Sequence, residues 1–97
     1  MQAQPVSPEV VLRHFLDERG RLKQLPAKRA MKLLACAYLQ GKLEKGRRYT
    51  ERELGDTLEE WTLFHDPATL RREMFDAHVL ERKRDGSSYW VSEGMRD

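Results

Sequence analysis

Apolar residues recur with the period of an α-helix in four stretches of the chain. The first stretch, 8–19, opens on a proline in the first helical position and stops at Gly20. The second stretch, 26–46, also opens on a proline and is apolar on most of its sides, so we expect it to be the central helix. Gly41 weakens its last turns, because glycine inside a helix costs about 1 kcal/mol relative to alanine.

Two shorter helices follow, and each begins at a residue suited to capping. Thr50 and Glu53 form a capping box, in which each side chain accepts a hydrogen bond from the other residue's backbone amide, and they open a helix over 51–61. Asp66, followed by a proline, opens the next helix over 67–77.

The last part of the chain predicts a β-hairpin. Strand-forming residues at 79–84 and 87–92 flank Asp85-Gly86, a pair typical of a two-residue type I′ turn. The short extended piece at 47–49 can add a third strand, which a lone hairpin needs for stability. The turn sets the register of the hairpin, which pairs Leu80 with Val91, Glu81 with Trp90 and Arg82 with Tyr89.

The order of these elements, after the first helix, is helix, short strand, two helices joined by a tight turn, and hairpin. It predicts an α+β, mainly helical winged helix-turn-helix fold: four helices, of which the N-terminal one is an extra helix, and a C-terminal β-hairpin wing. A single domain at 7–92 lies between flexible tails at 1–6 and 93–97. The predicted core consists of Phe15, Leu16, Leu34, Tyr38, Leu54, Leu58, Leu70, Met74, Leu80 and Trp90.

A family resemblance agrees with this fold. Four pieces carry it: RLKQLPAKR at 21–29, GRRYTE at 46–51, LRRE at 70–73 and YW at 89–90. As a set they resemble the prokaryotic domain-of-unknown-function family 2087 over about residues 8–91. The resemblance implies a winged-helix-like fold, and some members are fused to helix-turn-helix modules and labelled as regulators.

Two positions depart from the pattern of that family. Gly55 stands where the family usually has Asn, and His78, just after the fourth helix, stands where it usually has Gly. A helix end with left-handed backbone would accept a histidine at His78 at some cost in free energy.

Charge is unevenly distributed along the chain, although its net value is only +2. Residues 1–48 hold eleven Lys and Arg against four Asp and Glu, whereas residues 49–97 hold seven against twelve. The stretch 19–48 is the most basic, and Glu44 is its single acidic residue. Such a stretch favours polyanions, with nucleic acid first among them, but it would equally suit the acidic half of this chain or of another copy.

Ten residues are candidates for contact with nucleic acid. They lie at the start of the second helix, before the third helix, on the outer face of the fourth helix and at the tip of the hairpin. Cations at a helix start oppose the helix dipole, so stability does not explain them, and the free amides there would help to bind an anion. The alternative is solvated surface charge, which at the hairpin also keeps an edge strand soluble. The candidates are Lys28, Arg29, Lys32, Arg47, Arg48, Thr69, Arg72, Arg82, Lys83 and Arg84.

Two functions remain open at this stage. The first is a small cytoplasmic protein that binds nucleic acid, with duplex DNA as the expected partner, mainly through phosphates, and that regulates transcription. The second is a non-catalytic module that docks an acidic protein partner or forms a homodimer. Exposed Trp61 or Phe64, or the extra first helix, would provide the surface for the second function.

The sequence gives little support for other classes of function. The single cysteine, Cys36, rules out an internal disulfide framework and favours a reducing compartment. His14, His65 and His78 fall on different elements and lack metal-ligand spacing. No catalytic arrangement or cofactor motif occurs, so we expect no enzyme, no cofactor and no metal. No apolar run approaches the roughly 18 residues of a membrane span, and the N-terminus lacks a signal-peptide pattern, so we expect no membrane partner.

Overall fold

The computed structural model describes residues 8–93, so the tail predicted at 1–6 and all but the first residue of the tail predicted at 93–97 lie outside these residues. The elements are α1 (Pro8–Val11), α2 (Arg29–Gln40), α3 (Glu51–Glu60), α4 (Pro67–Asp76), β1 (Leu80–Arg82) and β2 (Tyr89–Val91). A short 3-10 turn, Arg13–Phe15, follows α1. These elements confirm an α+β, mainly helical class with a C-terminal hairpin. No helix within 8–93 is long and apolar enough to cross a membrane.

The first helix is much shorter than the predicted 8–19, because side-chain and strand-like contacts replace its second half. Leu16 forms an isolated β-bridge with Leu22. The carboxylate of Asp17 accepts a hydrogen bond from the backbone amide of Arg21 at 2.7 Å. A carboxylate that binds nearby amides competes with helical hydrogen bonding. The chain therefore turns back on itself after the 3-10 turn.

The central helix, α2, is also shorter than the predicted 26–46 at both ends. Pro26 is buried outside the helix, and Lys28, the N-cap, has extended backbone with a ψ of 136°. After Gln40 the chain continues in tighter turns, in which the amide of Leu43 donates to the carbonyl of Gln40 at 3.0 Å. The apolar pattern beyond the helix therefore reflects burial in these turns and not additional helix.

The starts of α3 and α4 are as predicted. The Glu53 amide donates to the Thr50 hydroxyl at 3.0 Å, and the Thr50 amide donates to the Glu53 carboxylate at 2.9 Å, which completes the capping box. At the start of α4, Asp66 accepts a hydrogen bond from the amide of Thr69 at 3.3 Å.

The connection between α3 and α4 is not the tight turn that was predicted. It contains six residues, 61–66, whereas a helix-turn-helix typically uses three or four. Leu22 holds this connection through two backbone hydrogen bonds. Its amide donates to the Trp61 carbonyl at 2.8 Å, and its carbonyl accepts from the Leu63 amide at 2.9 Å. These contacts give the longer loop a fixed path.

The hairpin has the predicted register, with Leu80 opposite Val91 and Arg82 opposite Tyr89. Its turn is different. A type I′ turn needs positive φ at both central residues, but in the described chain only Gly86 of the Asp85-Gly86 pair has it, with φ of 77°. The loop is wider, and Lys83 and Ser88 close it through a 2.9 Å backbone hydrogen bond.

The predicted third strand is reduced to a single residue pair. Tyr49 exchanges two backbone hydrogen bonds with Tyr89, each 2.8 Å long, and the sheet itself has two strands. This pair attaches the segment before α3 to the free edge of β2.

The core is broader than predicted. Six predicted core residues are buried: Tyr38, Leu54, Leu58, Leu70, Met74 and Leu80. Phe15, Leu16, Leu34 and Trp90 are only half-buried. The prediction missed Leu12, Leu22, Ala35, Cys36, Leu39, Leu43, Tyr49, Tyr89 and Val91, which are all buried. Many of them lie on irregular segments or on the hairpin, where helical periodicity gives no signal.

Candidate nucleic-acid interface

Helix α4 presents two different flanks to its neighbours. Leu70 and Met74 face the core and are fully buried. Arg72 and Phe75 lie on the flank next to the hairpin, while Glu73 lies on the flank next to the start of α2. Each flank borders a cavity, and α4 separates the candidates that line one cavity from those that line the other.

The first cavity lies between α4 and the hairpin, and we call it the hairpin groove. Its volume is about 210 Å³. Strand alternation places Arg82 on the same face of the sheet as the buried Leu80, so its side chain points towards α4. The groove is lined by Ala68, Arg71, Arg72, Phe75, Arg82 and Tyr89.

The hairpin groove carries positive charge and no lining carboxylate. Arg71 is held by Glu51, with 3.1 Å between the guanidinium nitrogen and the carboxylate oxygen. Among residues 8–93, no carboxylate lies within ion-pair distance of Arg72 or Arg82. Two guanidinium groups in the groove are therefore left for an anionic partner.

Arg71 is a groove residue that the sequence reasoning missed. It lies at i−4 from Phe75 and i+3 from Ala68, so helical spacing alone puts it on the same flank as both. Its ion pair with Glu51 also joins α4 to the start of α3.

The second cavity lies between α4 and the start of α2, and it has mixed charge. Arg29 and Lys32 line it together with Glu73 and Asp76. The ammonium of Lys32 is 3.7 Å from the Glu73 carboxylate, so part of its charge is already balanced. Lys28 is exposed and its side chain makes no capping hydrogen bond to the first turn of α2. Lys28 and Arg29 are thus the stronger candidates at this end.

Arg47 and Arg48 lie away from both cavities. The Arg48 guanidinium stacks 3.8 Å from the centre of the Trp90 ring, on the sheet face opposite Arg82. Arg47 lies 4.3 Å from the Tyr49 ring and 3.6 Å from a carboxylate oxygen of Glu44. The structure does not bring these two residues together with α4.

The tip of the hairpin carries both signs of charge. Lys83 and Arg84 are exposed there. Asp85 lies beside them at the tip. Hydrogen bonds from the side chain and the amide of Ser87 lower the pKa of Asp85 below its ordinary value, so this carboxylate is ionised near neutral pH. Thr69 is half-buried near the start of α4, and its amide is occupied by the Asp66 cap.

A family model matches this part of the chain. It is described as an uncharacterized protein conserved in bacteria (DUF2087), and it covers residues 21–91, which include both cavities and every candidate residue. The chain belongs to DUF2087. No curated protein and no solved structure shows a significant match.

The DUF2087 domain buries its one cysteine. Cys36 is 1% exposed, and burial, followed by the negative charge of Glu73, raises the pKa of the thiol to about 11. A thiol that stays protonated is a weak nucleophile, and the buried Cys36 packs as part of the core. Within 8–93, no three His, Cys, Asp or Glu side chains cluster at a spacing that could hold a metal ion.

Trp61 and Phe64 do not form an exposed patch on this DUF2087 domain. Both are half-buried and pack against the core. The Lys42 ammonium lies 4.2 Å from the centre of the Trp61 ring and 4.7 Å from that of Tyr38. Leu63, between Trp61 and Phe64 in the chain, is exposed. The other large exposed apolar side chains include Val10, Leu33 and Phe75.

Proposed function

We propose that this DUF2087 protein binds nucleic acid, with duplex DNA as the partner, and regulates transcription in the cytoplasm without catalysing a reaction. In this proposal the order of elements is that of a winged helix-turn-helix, α4 is the recognition helix and the hairpin is the wing. One observation carries it: Arg72 and Arg82, from these two elements, line one groove that has no carboxylate in its lining.

The contacts are proposed to be mainly with phosphates. Asp76 lies one turn after Arg72 on α4, and both are exposed. Glu73 is on the same helix, next to the basic start of α2. A helix that enters the major groove brings its side chains close to phosphates on both sides, and carboxylates on that helix are repelled. Arginines at the flank, next to the hairpin, can reach a phosphate without deep insertion.

The distribution of ion pairs supports an excess of positive charge on the surface. Within residues 8–93, Lys32 is the one basic residue of the stretch 19–48 that pairs with a carboxylate from the acidic second half of the chain. Arg21 and Arg47 pair with carboxylates of the first half, Asp17 and Glu44. Internal neutralisation between the two halves is therefore slight.

A salt-dependent titration tests the proposal. We expect labelled random-sequence duplex DNA to bind near 50 mM salt, and its affinity to fall steeply as salt rises. The variant Arg72→Glu/Arg82→Glu should weaken binding at least tenfold and lower the slope of log K against log salt by about 2, because each phosphate contact contributes about 0.9. The control variant Arg13→Glu/Arg19→Glu makes the same change in net charge at exposed positions outside the groove.

The control variant should weaken binding much less than the groove variant. Equal losses in the two variants would show that only net charge matters, and the groove would lose its role. If the wild type fails to bind DNA near 50 mM salt, the proposed function is wrong.

Self-association is a second candidate, and one observation favours it. Val10 and Val11 of α1 are 57% and 38% exposed, and α1 precedes the part of the chain that the family model matches. Light scattering coupled to size exclusion would reveal a dimer, and Val10→Ser/Val11→Ser would abolish it if α1 forms the contact. A monomer at all concentrations would exclude this candidate.

A further inference from the structure

The hairpin groove contains a feature that phosphate binding alone does not require. Phe75 is 39% exposed, although its neighbours Arg72 and Arg82 are charged. Phosphates are bound by cations, amides and hydroxyl groups, whereas an exposed aromatic ring among arginines is typical of sites on which bases stack. A ligand that fits this site has a flat apolar surface, which stacks on the ring, and negative charge, which pairs with the arginines.

The distance between the ring and the guanidinium is informative. Cζ of Arg82 lies 5.3 Å from the centre of the Phe75 ring, whereas Arg48 lies in direct stacking contact with Trp90 at 3.8 Å. Stacked bases are about 3.4 Å apart, so a base between ring and guanidinium needs about 7 Å. Arg82 is exposed and, within residues 8–93, forms no ion pair. Its outward movement by roughly 2 Å would break no such pair, and arginine planes stack on bases readily.

The size and charge of the groove further restrict which ligands it can accept. Its volume of about 210 Å³ is below the roughly 300–1,000 Å³ of pockets that enclose a drug-sized molecule. It suits one flat ring system whose sugar and phosphate remain outside. The lining has no carboxylate, and Arg72, which is exposed and lines the groove, can meet an anionic group.

We propose that the hairpin groove accepts one unpaired nucleobase of a single-stranded nucleic acid, stacked between Phe75 and Arg82, with the adjacent phosphate on Arg72. This inference rests on the nucleic-acid binding of the proposed function and adds a single-stranded form that the same groove recognises besides duplex DNA. In a duplex every base is paired and stacked inside, so the ring of Phe75 finds no partner and only the phosphate contacts remain.

The test compares single and double strands of one sequence. A 12-nucleotide strand carries one 2-aminopurine, whose fluorescence is quenched when it stacks, and affinity is measured by anisotropy for the strand and for its duplex. The variants are Phe75→Leu, which keeps an apolar side chain without a ring, and Phe75→Trp, which keeps a ring. Leu63→Ala is the control, because Leu63 is equally exposed, at 39%, and does not line the groove.

We expect Phe75→Leu to bind the single strand about tenfold more weakly and to lose the fluorescence quenching, with duplex affinity changed by less than about twofold. Phe75→Trp and Leu63→Ala should resemble the wild type. If Phe75→Leu weakens neither form, or both forms equally, the stacking site is wrong while the phosphate contacts of Arg72 and Arg82 can still hold. If the wild type binds neither form, the proposed function itself fails.

Discussion

His78 has a left-handed backbone, which within residues 8–93 it shares with His65 among the residues other than glycine. It follows the end of α4 with φ of 65°, and the next amide, of Val79, donates to the Met74 carbonyl at 3.0 Å. This is the hydrogen bond of a Schellman motif, whose left-handed position usually holds glycine. The backbone at His78, where the family usually has Gly, is therefore left-handed, as the sequence suggested.

We predict that His78→Gly raises the free energy of unfolding by about 1 kcal/mol, because a left-handed backbone costs a residue with a Cβ about that much. Thermal unfolding should show the midpoint rise by roughly 4–8 °C. His14→Gly is the control, since His14 is exposed and does not have positive φ, and there glycine should lower the midpoint. A lower midpoint for both variants would refute this account.

Gly55, the other departure from the family pattern, has a different explanation. Its φ is not left-handed, and the nearest atom to a built Cβ would be Cβ of Pro67, at 3.8 Å, which is ordinary contact. A Cβ is therefore accepted at this buried position without a close contact. Nothing in the structure explains why glycine stands here.

At the scale of the element, local signals predicted the starts of α3 and α4 and failed for α1 and α2. The caps at Thr50 and Asp66 involve residues three apart, so the sequence contains the whole interaction. In contrast, α1 ends where it does because Leu16 meets Leu22, and α2 starts late because Pro26 is buried by the fold. Such boundaries depend on tertiary contacts that periodicity does not carry.

The capping box of α3 provides a prediction at this scale. Thr50→Ala should lower the free energy of unfolding by about 1 kcal/mol, because it removes the acceptor for the Glu53 amide. Thr57→Ala, in the same helix, is the matched control: its hydroxyl donates to the Glu53 carbonyl inside the helix, and alanine there should be neutral or slightly stabilising. Urea unfolding of both variants measures the difference. Equal destabilisation would mean that the cap contributes nothing specific.

At the scale of the whole molecule, the sequence predicted which residues are basic but not how they are grouped. The ten candidates do not form one group. Two line the hairpin groove and two line the second cavity, whereas the others lie outside both, among them Arg48, which stacks on Trp90 on the outer sheet face. Arg71 lines the groove although the sequence did not predict it, and the charge of Lys32 is partly balanced by Glu73. These groupings depend on how α4 packs against the hairpin and against α2, which no local spacing reveals.

The extent of the DNA footprint follows from that grouping. If DNA covers both flanks of α4, Lys28→Glu/Arg29→Glu should lower the salt slope by about 2, as we expect for the groove variant, because both sets of cations would then neutralise phosphates. The same duplex titration measures it, with Arg13→Glu/Arg19→Glu as the control for net charge. An unchanged slope would confine the contact to the hairpin side of α4.

The hairpin meets the segment before α3 at one pair of tyrosines, Tyr49 and Tyr89, that lie 40 positions apart in the chain. Closing a loop of that length loses more chain entropy than forming a helix turn or a hairpin turn, and such long-range contacts tend to form late. We expect this tyrosine pair to form late during folding and to open early under stress. Tyr89 also lines the hairpin groove, so a partner that fills the groove would favour the state in which this long-range pair is formed.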